Sequence, residues 1–328
     1  MSAVRSGSNL TVIPLRHTNL TELEALFDQQ CEEWLSLLRW DYSGPSRLIR
    51  EVARARELPG FSASNSGGMI GFGYYTVEAE KCSIGDVYMS SRWRDAGADR
   101  VIIVAMLDEI AEMREVTRIE SQCVSVGNRA ADLAYRSRGF IRYDRVYMML
   151  DLKSNVPRAR KPKAGTDAGI SFRSWRGEDF SQAARVICRS YNGEQDSLIN
   201  SQYSTEEGCG ALLSILTSHI WCGDFLPEVS RVAVGPSGNV AAVLIATRVA
   251  PFICHFAQIS VHPAHQNRGI GRMLIAEAAA ECGRLGYDEV SLAVTASNKP
   301  AHHLYESCGF RTVHEFPVYC REGLEFGV

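Results

Sequence analysis

With 328 residues the chain exceeds one ordinary domain and is long enough for two, each with its own buried core. A net charge of −3, from 35 basic against 38 acidic residues, gives no reason to expect a nucleic-acid-binding or membrane-seeking surface. Ten cysteines form no C-x-x-C pair, and Cys188, Cys254 and Cys282 sit in apolar patterns, as small buried residues do in a reducing compartment. MSAVRSGSNLTVIPLRH holds no apolar run of signal-peptide length and no stretch reaches a membrane span, so the expectation is a soluble, cytoplasmic protein.

In chain order, Leu10 to Leu15 reads as a short strand, and Asn19 with Glu22 gives a helix-capping pair. Leu23, Leu26, Phe27, Cys31, Trp34, Leu35 and Leu38 then recur at helical spacing and predict one core-facing stripe. A second helix runs through Leu48, Ile49 and Val52 until Pro59 and Gly60 stop it. Gly67-Gly68 signals a hairpin within three antiparallel strands, with Ile70, Phe72, Tyr74 and Thr76 alternating. After Arg94-Asp95-Ala96-Gly97-Ala98-Asp99 comes a helix bearing Val101, Ile102, Ala105, Met106, Ile110 and Met113, then a strand from Arg118 to Val126. Asn128, Tyr135 in a short helix, Gly139-Phe140 and a strand with Val146, Met148 and Leu150 complete this half.

KSNVPRARKPKAGTDAG has no apolar period and reads as a linker, whose Arg158, Arg160, Lys161 and Lys163 are taken as solvated. The second half opens with a strand at Ile170 to Trp175 and a helix over Phe180 to Tyr191. A polar stretch carrying Tyr191, Glu194, Gln195, Asp196, Gln202 and Tyr203 follows. A helix over Leu212 to Ile220 and strands Val229 to Val234 and Val240 to Ala250 lead to FICHFAQISVHPAHQNRGIGRMLIAEAAAECGRLG. In this last segment a strand through Ile253, Ala257, Ile259 and Val261 runs into a glycine-bearing turn and then a helix. The exposed amides and dipole of a helix N-terminus hold a phosphate without any basic side chain, and Gly269 and Gly271 leave room for it between Arg268 and Arg272.

The halves repeat. Asn128 to Tyr135 and Asn298 to Tyr305 are each seven residues, and from each tyrosine to Gly139 or Gly309 is four, with a Phe next. The pattern Gln266-x-x-Gly269-x-Gly271 after a strand, with Asn298, Tyr305, Gly309 and Phe310 downstream, resembles the acyl-CoA motif of the GNAT acetyltransferases, over residues 169 to about 320. The resemblance implies an α/β (α+β) protein of two tandem GNAT folds, each a mixed, mostly antiparallel central sheet flanked by helices. The boundaries are 1–152 for a degenerate N-terminal GNAT-like domain, 153–168 for the linker and 169–328 for an acetyl-CoA-binding domain.

It further implies an acetyl-CoA-dependent N-acetyltransferase acting on a primary amine of a small molecule or peptide. Nucleic acid and membrane are not expected partners, and the chain is a monomer, as a pseudo-dimer of domains, or a homodimer. Gln266, Asn267, Arg268, Gly269, Ile270, Gly271 and Arg272 would hold the pyrophosphate, Ile259, Ser260 and Val261 the thioester end through their backbone, and Asn298 the pantetheine. Asn298 equally suits a helix cap. Tyr305 matches the family's general acid for the departing thiolate. No Asp or Glu occurs between residues 252 and 276, which leaves His255 as candidate base, facing as Ile259 and Val261 do unless a bulge intervenes. No histidine has companion carboxylates at metal-ligand spacing, so no metal is assigned. In the first half Asp99 replaces the second glycine and Asp95 adds a carboxylate, so that domain is expected to bind CoA poorly. The competing readings are a non-catalytic acyl-CoA sensor or scaffold, and an acyltransferase using a longer acyl group or an alcohol acceptor.

Overall fold

The computed structural model describes residues 4–6, 10–122, 124–125, 128–157, 169–218 and 220–323. The four basic residues read as solvated linker lie outside the described residues. Among the described residues no helix is long and apolar enough to cross a membrane. The chain divides into two compact units, one of residues 1–36, 45–145 and 315–328 and one of residues 37–44 and 146–314. This division falls at 145/146 and again at 314/315, not only near residue 152.

In the first unit the elements are β1 (Val4–Ser6), β2 (Leu10–Pro14), α1 (Leu20–Leu38), α2 (Ser43–Arg54), β3 (Gly60–Asn65), β4 (Gly68–Glu78), β5 (Lys81–Met89), α3 (Asp99–Ala111), β6 (Arg118–Gln122) and α4 (Arg129–Arg136). Strands β1 to β6 follow one another in the sheet, and residues 318–322 of the chain's last strand pair antiparallel with β6. Asn19 caps α1 through Thr21 N–H at 2.9 Å, as its spacing to Glu22 predicts. Leu23, Leu26, Phe27 and Leu38 are buried, whereas Leu35 is 49% exposed. At 3.6 residues per turn Leu35 points about 80° away from Phe27, and Gln30 occupies the opposite flank of the stripe. The correction follows from one polar residue taking a core position.

The second unit contains the end of β7 (Ile141–Asp151), then β8 (Ser171–Ser174), α5 (Phe180–Tyr191), α6 (Gln195–Ile199), α7 (Glu206–Ser218), β9 (Asp224–Phe225), β10 (Arg231–Val234), β11 (Val240–Ala250), β12 (Ile253–Val261), α8 (Ile270–Arg284), β13 (Glu289–Thr295), α9 (Lys299–Ser307) and the start of β14 (Arg311–Glu322). Its strands run β7-β13-β12-β11-β10-β8, with β9 on β11. Helix α7 begins six residues earlier than its apolar period suggests, because Thr205 Oγ1 accepts Gly208 N–H at 2.9 Å and starts the helix there. On one side of the sheet Ile270, Leu274, Ile275, Ala278, Ala279 and Cys282 of α8 pack on Leu244, Cys254 and Phe256. Each fully buried Leu or Ile there contributes about 1.5–3 kcal/mol, and the alanines let the helix lie close to the strands. On the other side α5 and α7 cover Val243, Ile245 and Ala257.

Both units carry the same irregularity. In β11–β12, Ile245 pairs with Gln258 and Ala246 with Phe256, which leaves Ala257 as an extra residue. In β4–β5, Tyr74 pairs with Asp86 and Tyr75 with Ile84, which leaves Gly85. The parallel ladder beside each bulge then stops, at His255↔Ser291 in one unit and Ile84↔Ser121 in the other, although β12 continues to Val261 and β5 to Met89. Each unit's sheet therefore opens into a wedge beyond its bulge.

Asp86, next after the bulge in the first unit, is 2% exposed. Burial pushes its pKa up to about 7, against hydrogen bonds from Val87 N–H at 2.8 Å and Gln30 Nε2 at 2.5 Å that favour the carboxylate. An unfolded aspartate ionises near pH 4, so the native state holds this proton longer than the unfolded one does. Stability from this group is complete below about pH 4 and is lost as pH rises through about 7. Asp86→Asn, whose amide has the buried and unpartnered Gln30 Oε1 to donate to once the Gln30 amide turns, should be the more stable protein at pH 8 by roughly 2–4 kcal/mol. At pH 4.5 the two proteins should melt nearly together. Denaturant melts across this range check it, and an equal gap at both pH values would remove Asp86 as the cause.

Candidate active site

The strand-to-helix connection after β12 is tied down by its own side chains. Gln266 Nε2 donates to Val261 O at 3.1 Å, and His262 Nδ1 accepts Ala264 N–H at 3.2 Å. Asn267 with φ +60° and Gly269 with φ +84° turn the chain into α8. No side chain caps that helix, so the first-turn amides of Ile270, Gly271 and Arg272 have neither an intrahelical carbonyl nor a capping oxygen. The glycines serve separate ends. A Cβ on Gly271 would sit 3.2 Å from Leu304 Cδ2 and 3.6 Å from Val261 Cγ2, whereas one on Gly269 would meet nothing within 4 Å, and that glycine is demanded by its left-handed backbone. Of the flanking arginines, Arg272 binds the end of α9, with Nη1 on Ser307 Oγ at 2.6 Å and Nη2 on Ser307 O at 3.0 Å. Arg268 is exposed beside the loop.

Beside this loop lies the open edge of β12. Ile259 and Val261 are half-buried on the α8 side and join the cluster that contains Tyr305. Ser260 points the other way, 3% exposed. Tyr305 on α9 is 8% exposed and packs on Phe310 with ring centres 6.1 Å apart. Asn298 caps α9 by accepting Ala301 N–H at 3.2 Å, the structural role its sequence context offers. Thus the fold brings Ile259, Val261, Gly271 and Tyr305 to one side of the sheet.

His255 is elsewhere. The Ala257 bulge inverts the alternation, so the expectation that His255 faces as Ile259 and Val261 do is overturned. Its ring lies 7% exposed at the closed end of the wedge. Nδ1 is 2.9 Å from Ser291 Oγ, and the Trp40 and Tyr147 rings are 4.9 and 6.0 Å away. From there to Val261 is six residues of strand, about 20 Å.

Gln258 escaped the sequence reading. It is 2% exposed and accepts the Tyr203 hydroxyl at 3.0 Å, while its Nε2 reaches Tyr191 Oη at 3.1 Å and Ser260 Oγ at 2.9 Å. A lone glutamine inside an apolar strand was the available signal, because a buried amide needs four hydrogen-bonding partners. Tyr191 and Tyr203 stack at 4.0 Å. Asp196 Oδ1 accepts the Thr295 hydroxyl at 2.7 Å, and Ser297 bonds Gln195. The polar stretch after α5 is therefore bonded to β12 and to the far end of β13, on both sides of the wedge. It borders an open cavity of about 330 Å³ lined in part by Tyr191, Ser197 and Tyr203 and by the exposed Arg189 and Asn192. Cys188, taken as buried, is half-buried on this cavity wall. Among the described residues no cluster could hold a metal ion.

The first unit carries the corresponding parts, altered. Arg94 Nη2 reaches Met89 O at 3.2 Å, as Gln266 reaches Val261 O, and pairs with Glu33 at 2.6 Å. Gly97 has φ +70°, but Asp99 in the place of Gly271 is fully buried. Its Oδ1 accepts Arg100 N–H at 2.9 Å and its Oδ2 the Asn128 amide at 2.5 Å. The start of α3 thus holds a carboxylate of its own. The Tyr135 hydroxyl is 2.9 Å from Ser121 Oγ, and its ring stacks on Tyr319 at 4.2 Å. The Asp95 side chain lies outside the described residues.

The acetyltransferase (GNAT) family pattern matches residues 206–310. A tRNA(Met) cytidine acetyltransferase of Citrobacter koseri is 34% identical over 105 residues, 31% of this chain and 14% of that protein, so the chain spans about one seventh of this curated relative. Among solved structures, a GCN5-related N-acetyltransferase from Sphaerobacter thermophilus superposes with a TM-score of 0.65 at 18% identity, over 97% of each chain. A tandem GNAT protein from the clavulanic acid biosynthesis pathway does so with a TM-score of 0.55 at 16% identity, over 95% of this chain and 98% of that one. A strand, a glycine turn and a split sheet, met twice along the sequence, are accounted for together: residues 206–310 carry the GNAT acetyltransferase pattern, and the chain has the fold of proteins built from GNAT folds in tandem.

Proposed function

We propose that the protein is an N-acetyltransferase that uses acetyl-CoA, and that the second unit performs the transfer. The observation that carries this reading is the start of α8, which no side chain among the described residues caps, beside an unpaired strand edge. Acetyl-CoA supplies an activated acyl group on a thiol. The residues present fit it: amides of Ile270, Gly271 and Arg272 with the Arg268 cation suit a pyrophosphate, and the edge of β12 from Phe256 to Val261 offers hydrogen bonds to an extended amide chain. An N–H of that edge near Ile259 to Val261 would stabilise charge growing on the acyl oxygen. Tyr305 would return a proton to the sulfur, since a phenol with a reference pKa of about 10 matches a thiol.

The first unit lacks this fit because Asp99 already occupies the helix start. A sequence match confined to about one third of the chain carries the acyl-transfer segment, and the cytidine acceptor of the relative does not come with it. The acceptor proposed is a primary amine.

Calorimetry with acetyl-CoA should give saturable binding that Gly269→Val weakens at least tenfold, because a β-branched residue cannot keep φ +84°. Equal binding by both proteins would move the phosphate site away from this turn. Tyr305→Phe should keep that affinity and lose roughly 10²-fold in turnover. Unchanged turnover with chemistry rate-limiting would remove Tyr305 from the reaction, and binding without turnover on any amine would favour an acyl-CoA sensor.

A further inference from the structure

The cavity behind the stacked tyrosines has a sign. Arg185 and Arg189 stand one turn apart on α5, a like-charge spacing that destabilises a helix unless answered. Glu206 answers Arg185 at 3.5 Å, whereas Arg189 makes no ion pair among the described residues and lines the cavity of about 330 Å³. The remaining lining offers hydroxyls of Ser197, Tyr203 and Ser204, the amide of Asn192 and the backbone of Gly193, and no carboxylate. Asp196 is turned away onto Thr295, and Glu194 is exposed outside the lining. The potential extends to the phosphate turn: the His262 pKa is held down by burial, by His265 and by the Arg189 charge.

We infer that this cavity receives a small primary amine bearing a carboxylate, an α-amino acid or a near relative, with its carboxylate on Arg189 and its amine on the side of Tyr191 and Tyr203. The inference rests on the acetyltransferase reading and names its acceptor class. A guanidinium binds a carboxylate through two parallel hydrogen bonds, which orients as well as holds. The cavity volume is at the lower end for small-molecule sites and suits a molecule of amino-acid size. The same positive field disfavours an ammonium ion, so the bound amine is more readily neutral and nucleophilic, in a site with no acidic side chain between residues 252 and 276. Arg189 also stands in the last turn of α5, where any cation favours the helix dipole. That purely structural role would give no preference among acceptors.

Thiol release from acetyl-CoA, followed with free α-amino acids and with their carboxamides, tests the inference. The wild-type protein should show kcat/KM at least tenfold higher for the acids, mostly through KM. Arg189→Gln should erase the preference, Arg189→Lys should restore part of it, and Arg189→Glu should favour the carboxamides. Equal use of acids and carboxamides by the wild type, or a preference that survives in Arg189→Gln, overturns the inference and leaves the acetyltransferase reading standing. Failure of acetyl-CoA to bind in calorimetry overturns both.

Discussion

A single unpaired residue in β12 sets the geometry of the second unit. With Ala257 extra, the side chains after it exchange faces relative to those before it, and the parallel ladder to β13 ends at His255↔Ser291. Ile259 and Val261 turn toward α8 and Tyr305, while Gln258 and Ser260 turn toward α5 and the tyrosine pair. One strand thereby serves two compartments, the side of the helix start and the side of the cavity, with an open backbone edge between them.

The first unit keeps this frame and closes it from within. Gly85 repeats the bulge and Ile84↔Ser121 the last pair of the ladder, so the backbone opportunity is the same. Its side chains differ in sign. Asp99 sits where Gly271 leaves space, and a carboxylate already bonded to the helix start and to Asn128 competes with any incoming anion. At about 5 Å two unit charges repel by roughly 3 kcal/mol at an effective dielectric near 20, more than the 0.3–1 kcal/mol a helix terminus typically contributes. Glu33 likewise holds the arginine that replaces Gln266. The changes are mutually satisfied, as expected for a core built to pack.

What could be read from sequence follows from which features leave a mark in residue type. A left-handed turn demands glycine and an uncapped helix start lacks Ser, Thr or Asp, so Gly269 and the start of α8 were visible, as were the matched spacings of Asn128 with Tyr135 and Asn298 with Tyr305. A bulge at an alanine leaves no such mark, and the direction of His255 therefore went wrong, since every alternation argument assumes an unbroken count. Gln258 was in plain sight but its partners lie 55 and 67 residues earlier, on a stretch whose polarity looked like solvation. The divisions at residues 145 and 314 were also hidden, because a strand that closes one sheet has the same apolar alternation as a strand that closes another.

The residue after the bulge differs between the units in a way that bears on proton transfer. Asp86 is a carboxyl group held near neutrality by burial, whereas Gln258 at the matching position is an amide, able to donate and accept hydrogen bonds but not to take a proton. The unit with the open helix start thus has no titratable side chain at the residue after its bulge, and the unit with the titratable one has a carboxylate in its helix start. Gln258 instead bonds the hydroxyls of Tyr191 and Tyr203, which fixes their stacked rings beside the cavity. Acyl transfer in such a site would depend less on a side-chain base than on an amine that arrives already neutral, a condition that a positive cavity wall promotes by shifting the amine's own ionisation downward.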